Sequence, residues 1–422
     1  MSATIRRQSS AVVGEVGEQR VGRDQPAVAE PPAAPRRYEF LDSIRALAAW
    51  YVVLHHIWLA SFLLFPENVG PWVVGWMKWG YLAVAVFIVV SGFSLALRPA
   101  VHDDRMPGGT GTFLRRRAFR ILPPYWVALM ISAAVMMLYT GARAGVGTDL
   151  RSIAVHAALF QDLIGSNPPN GAFWSIAIEW QIYFVFPVLI WMARRIGPWR
   201  MLAITTSLVI AAQVLGQNVT GAHKILDLTP QFLALFAMGL VAGRAAALNR
   251  DPARRPKLVA ALLAVGVIGF LAVLAFAAPA WVVGQYFGIG LAAGAIIAWA
   301  LFAIARGDFP RVRSVLEHRP LPFLGSFSYS TYLLHIPVLA MVQYGIVDNL
   351  ASSAVMRFVL LLAIGLPAVF FVTYGFHLLF ERPFIRNRSL GAVMRSVRRS
   401  PTEPATEMAP ASLGERSPMA AK

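Results

Sequence analysis

Apolar residues gather along this chain into runs of roughly twenty, the length a helix needs to cross the hydrocarbon core of a bilayer. Short polar segments, mostly basic, separate the runs. The pattern predicts about ten spans, near residues 40–63, 78–98, 120–139, 172–193, 201–217, 229–247, 258–277, 281–305, 321–345 and 354–380. The expected fold class is therefore all-α, a polytopic integral membrane protein. The first run breaks its own pattern. SIRALAAWYVVLHH, residues 43–56, carries Arg45 near its start and His55 and His56 near its end, where a purely structural span holds Leu or Val.

Composition agrees with the membrane reading: 57% of residues are hydrophobic and 14% charged, and mean hydropathy is +0.58. The formal net charge of +17 would suit a nucleic-acid partner if the basic residues clustered on one surface. They instead follow the spans. With the N-terminus inside, the inner loops hold about 18 Lys and Arg, against about 5 in the outer loops and span edges. This asymmetry predicts both termini in the cytoplasm and a multi-pass protein of the cell membrane, its partner the lipid bilayer and not nucleic acid. Cysteine is absent, which excludes disulfides, thiolate metal sites and a cysteine nucleophile.

The first 37 residues are rich in Pro, Ala and charge and have no apolar core of signal-peptide length. They are expected to form a disordered cytoplasmic arm, residues 38–386 the membrane domain, and residues 387–422 a basic, mostly disordered cytoplasmic tail. The sequence sets no oligomeric state.

Arg45 and His56 are eleven positions apart, about three turns plus 20° on a helix, so they share a face with about 16 Å between them along the axis. Placing Arg45 at the inner end puts His56 in the outer half of the bilayer, where an ionisable side chain is costly unless it faces a protein interior or a wet cavity. Other spans reach the same depth. FWSIAIEWQIYFVFP brings in Glu179 with Tyr183 one turn away, and FLGSFSYSTYLLHIPVL brings in His335 with Tyr332 below it. A histidine beside a carboxylate is the minimum for acid/base work on a hydroxyl. No HxxxH or HExxH spacing occurs, so no metal is expected.

The inner side offers different chemistry. LRRRAFRILPPYW places Arg117 and Arg120 three residues apart on one helix face, where with Arg45 they could grip phosphate as paired forks; plain positive-inside anchoring is the alternative. The separation of about 16 Å between Arg45 and His56 suits a long, thin donor such as coenzyme A. Ser91 and Gly92, in FIVVSGFSLAL, leave room for its arm or simply permit close helix packing.

In the order RALAAWYVVLHH, FIVVSGFSLAL, RRAFRILPPYW, FWSIAIEWQIYFVFP, FLGSFSYSTYLLHIPVL and FERPF, the chain resembles acyltransferase family 3, the integral-membrane O-acyltransferases, over about residues 38–386. The Arg45, ten residues, His56 arrangement is the most specific element. The resemblance implies an acyl-CoA donor, most simply acetyl-CoA, on the cytoplasmic side and transfer to a hydroxyl of a sugar, glycan or small natural product. It further implies catalysis by His56 and donor binding by Arg45, Arg117 and Arg120. Glu179 matches the first acid of a WSLxxEEQFY-like motif, while Trp180 replaces the second; a mechanism needing two carboxylates here is therefore put in doubt.

Residues and resemblance together assign His56 as base, with Glu179 orienting the imidazole or stabilising its charged form, or His56 as a transient acyl carrier. Ser91 borders the donor, and Tyr183, Tyr332 and His335 contact the acceptor or the developing oxyanion. A proton-coupled exporter is the rival reading, since about ten spans with midplane ionisable residues suit it; the absence of matching halves with broken helices speaks against it. A scaffold or receptor would leave the layer of Glu179, His56 and His335 without purpose.

Overall fold

The computed structural model describes residues 38–62, 70–140, 148–248 and 281–386, and every regular element among them is helical. The helices that matter below are α1 (Phe40–Ser61), α2 (Ala83–Ala100), α3 (Gly109–Thr140), α4 (Leu150–Ala157), α5 (Trp174–Ile196), α6 (Pro198–Asn218), α7 (Gln231–Ala247) and α8 (Trp281–Arg306). They continue with α9 (Pro310–Leu316), α10 (Pro320–Ser326), α11 (Ser328–Val342), α12 (Ala354–Leu360), α13 (Leu366–Phe376) and α14 (Arg382–Arg386).

Among the described residues, six helices are long and apolar enough to cross a bilayer: Trp72–Ala100, Gly109–Tyr139, Trp174–Ile196, Pro198–Asn218, Ser328–Leu350 and Ala354–Arg386. The pair Gly290–Arg306 and Pro310–Leu316, bent by 95° at its break, makes a seventh if counted as one span. The expected count of about ten is therefore met only in part. Helix α1 falls outside the set because Asp42, Arg45, His55 and His56 interrupt its apolar run, and α7 is only 17 residues long. The expected span 258–277, the N-terminal arm and the C-terminal tail lie outside the described residues.

Helix α3 begins at Gly109, about three turns before the expected start at residue 120. The run of arginines therefore belongs to the helix itself and presents fixed faces. Toward the C-terminus, the last long helix contains two π-helical segments, Leu361–Gly365 and His377–Glu381. Each ends two residues before a proline, Pro367 or Pro383. A proline cannot donate to the helical ladder and crowds the preceding turn, and a widened turn relieves that conflict.

Two close approaches fix the frame. At Gly92, Gly239 and Gly243, a Cβ would collide with the backbone of Phe236, Val89 and Phe93 respectively, so α2 and α7 meet main chain to main chain. A Cβ on Gly325 would strike the backbone of Asp42, which seats α10 on the start of α1. Arg244 of α7 then grips Asp104, just beyond α2, with bonds of 2.7 to 2.9 Å. Phe40, Val53, Val89, Phe93, Phe236 and Leu333 lie in the fully buried core between these helices.

Candidate active site

The layer expected to lie on the outer side is built from α1 and α11. His335 is fully buried and its Nδ1 sits 2.8 Å from the carbonyl oxygen of Tyr332 and 3.2 Å from that of Thr331. His56 Nδ1 lies 2.9 Å from the carbonyl oxygen of Val52 and 3.2 Å from His335 Nε2. Carbonyl oxygens only accept, so both Nδ1 atoms carry the proton. His335 Nε2 of the neutral ring is then an acceptor, and the His56 Nδ1–H is shared between it and Val52. One nitrogen remains. His56 Nε2 is left with a bare lone pair, the atom a base or nucleophile needs. His55, by contrast, turns to the carbonyl oxygen of Met77 at 3.1 Å and packs against the 3₁₀ helix Trp72–Leu82.

The inner layer surrounds a cavity of about 1030 Å³ lined by all three expected arginines, Arg45, Arg117 and Arg120, and by Ser91, Glu179, Tyr183 and Tyr332. Arg45 donates to Asp42 at 2.8 Å and to Ser94 at 2.6 Å. Arg117 lies over the rings of Phe113 and Tyr183, 5.7 and 5.8 Å from their centroids, an attraction of positive charge to a ring face. Glu179 Oε1 accepts from Ser91 at 2.9 Å and from Tyr183 at 2.5 Å. Three helices, α2, α3 and α5, thus meet around one carboxylate and one guanidinium.

The cavity and the imidazole pair touch through Tyr332. Its hydroxyl bonds Ser175 at 2.6 Å, its ring meets the edge of Phe87 at 5.6 Å, and its centroid is 5.7 Å from that of His335. Tyr332 and Ser175 line the cavity, whereas the residues that line it include neither His56 nor His335. Tyr332 thus stands between the two layers, in contact with both.

The sequence expectation therefore divides. His56 and His335 come together, as do Arg45, Arg117, Arg120, Ser91, Glu179 and Tyr183. Glu179 makes its hydrogen bonds with Ser91 and Tyr183, and the His56 ring is set by Val52 and His335. The carboxylate lines the same cavity as the arginines.

Several residues escaped the sequence reading. Ser94, partner of Arg45, lies one turn from Ser91 on the same helix, a spacing that announces a shared face. A further pair also lines the cavity: His377 Nδ1 lies 2.8 Å from Glu381 Oε2, and Ser330 donates to the same oxygen at 2.5 Å. Both members are buried. Their signal was present in FERPF and in a histidine four residues before its glutamate.

Comparison with known proteins identifies relatives of one kind. The acyltransferase domain family matches residues 38–378, well over half of the chain. Acyltransferase MdmB of Streptomyces mycarofaciens is 26% identical over 332 residues, 73% of this chain and 80% of that protein. "Nodulation protein 10" of Rhizobium leguminosarum bv. viciae is 28% identical over 48% of this chain, and O-acetyltransferase OatA of Staphylococcus aureus is 24% identical over 74% of it. The matches span only 58% of nodulation protein 10 and 52% of OatA. No solved structure matches the chain.

Proposed function

Because this chain belongs to the acyltransferase domain family, we propose that it is an integral-membrane O-acyltransferase. It moves an acyl group, acetyl or another short chain, from acyl-CoA to a hydroxyl of a sugar, a cell-envelope glycan or a secreted small molecule. The observation that carries this reading is the bare Nε2 of His56 set beyond an arginine-lined cavity. It supports both a base and a donor site.

The donor approaches from the cytoplasmic face, and its phosphates meet Arg45, Arg117 and Arg120, whose forked guanidinium groups suit phosphate oxygens. The cavity's lining fits such a donor: it combines the three arginines with the apolar side chains of Val84, Phe87 and Ile88, Phe87 lying against Tyr332. Ser91, held by Glu179, borders the arm. His56 Nε2 takes the proton of the acceptor hydroxyl as its oxygen attacks the thioester carbon. The same atom serves the covalent route through acyl-histidine, in which donor and acceptor meet it in turn. His335 accepts from His56 Nδ1–H and so keeps Nε2 free. In this reading the chain crosses the cell membrane about ten times, with both termini inside.

The test is transfer of label from radiolabelled acetyl-CoA and longer acyl-CoAs into lipid, glycan and small-molecule fractions, in membranes carrying wild type or His56→Ala. Label confined to one fraction and lost in the variant names the acceptor class. Equal labelling with properly inserted variant removes His56 from the chemistry and restores the exporter reading.

A further inference from the structure

The reaction has a second proton problem, and it lies on the inner side. When the carbon–sulfur bond breaks, the departing sulfur must take a proton, and His56 at that moment has just gained one from the acceptor. The sulfur also leads away from His56. In a donor that enters from the cytoplasm, it trails the carbonyl carbon toward the arginines and stays on the cavity side of Tyr332.

One buried acid/base unit stands on that wall. His377 and Glu381 both line the cavity, with 7% and 2% of their surface exposed. Glu381 Oε2 receives both His377 Nδ1 and the Ser330 hydroxyl. Nδ1 is therefore committed to the carboxylate, and Nε2, on the opposite edge of the ring, is the position at which a proton is taken up or given. Ser330 precedes His335 by five residues on α11, about 7.5 Å along the axis, so the pair sits about one and a half turns to the inner side of the imidazole layer. The pair occupies the π-helical turn His377–Glu381, the kind of local widening that recurs at functional sites. As imidazolium and carboxylate it brings no net charge into the bundle, the condition under which buried charges persist.

We propose that His377 is the proton donor to the leaving sulfur and that Glu381 is its positioning residue. The assignment rests on the acyl-CoA reading above. The step balances as follows: His56 Nε2 takes the hydroxyl proton, the oxygen–carbon bond forms, the carbon–sulfur bond breaks, and the sulfur takes the Nε2 proton of doubly protonated His377. Neutral His377 then regains a proton and His56 gives one up, leaving ester and free thiol as the only net products.

The experiment compares acetyl-CoA with its selenium analogue, in which the same donor leaves as the more acidic selenol and needs less help from an acid. His377→Asn is the variant of choice, since its amide still donates to Glu381 but holds no exchangeable acid proton. Transfer from acetyl-CoA is expected to fall about 10²-fold, and the deficit relative to wild type to shrink at least about tenfold with the selenoester. Glu381→Gln should show the same rescue from a smaller deficit. His56→Ala should be deficient with both donors. An equal deficit of His377→Asn on both donors marks a structural role and overturns the proposal, as does full activity on the thioester. Absence of transfer by wild type from either donor would instead refute the acyl-CoA reading itself.

Discussion

In the outer layer, His56 and His335 are anchored by main-chain carbonyls of their own helices, at Val52, Thr331 and Tyr332. In the inner layer, Arg45 is anchored by the side chains of Asp42 and Ser94, and Arg117 by the ring faces of Phe113 and Tyr183. The contrast separates two tasks. A main-chain acceptor cannot rotate away, so it fixes a tautomer and, in the proposed reaction, the atom that takes the proton. In the proposed reaction the Ser94 hydroxyl and the two ring faces would yield readily to an arriving phosphate, whereas the Asp42 carboxylate would have to share Arg45 with it as an ion pair.

Substitutions can break or sharpen this contrast. The largest effect is expected at His56, where Ala should lower kcat by about 10²–10⁴. Next comes His335→Ala, which removes the acceptor for His56 Nδ1–H while Val52 remains. We expect kcat to fall roughly tenfold with the donor KM unchanged, a loss confined to the transition state. A rise in donor KM instead would erase the division between layers. Arg45→Lys keeps the charge but loses the fork. It should raise the donor KM several-fold, by about 1 kcal/mol of binding, and leave kcat nearly intact; steady-state kinetics over a range of acyl-CoA concentrations reads both numbers.

The smallest effect belongs to neither layer. Asp162 lies in the segment after α4, and burial, reinforced by the nearby Asp227, pushes its carboxyl up to about 6. Between about pH 4 and 6 the folded protein therefore keeps a proton that the unfolded chain has released. Stability contributed by this group is greatest at the acid end of that window and declines as pH rises through about 6. Asp162→Asn should flatten the decline, measured as the unfolding midpoint of detergent-solubilised protein from pH 4 to 7. A midpoint that rises more steeply with pH in wild type than in the variant would contradict the assignment.

The amino-acid sequence made some of this legible for a definite reason. Arg45 and His56 stand out because an apolar run exposes any ionisable intruder, and helical geometry then gives their common face. Glu179 and Tyr183 were readable as a pair for the same reason, one turn apart. Which helix each would meet was not readable: Glu179 turned to Ser91 of α2 instead of the imidazole, because lateral neighbours in a bundle are set by packing that no single span encodes. The glycines at 92, 239 and 243 lie on two helices separated by more than a hundred residues, and only their contact reveals a seam. Length and hydropathy by themselves leave two expected spans outside the long apolar helices: α7 for its 17 residues and α1 for its polar intruders.

The seam between α2 and α7 has a consequence for which donors fit. Ser91 is the immediate neighbour of Gly92, so the carboxylate of Glu179 is hung from a joint made of main chain. Such a joint has no rotamer to change and no side chain to compress. A thicker donor arm could not be accommodated by yielding on that side. In the proposed reaction, adjustment to a different donor would fall instead to movable side chains of the cavity lining, Tyr329, Tyr332, Tyr374 and Leu378 among them, which would make the glycine seam a rigid gauge of the donor's arm and the aromatic side chains the place where substrate range can evolve.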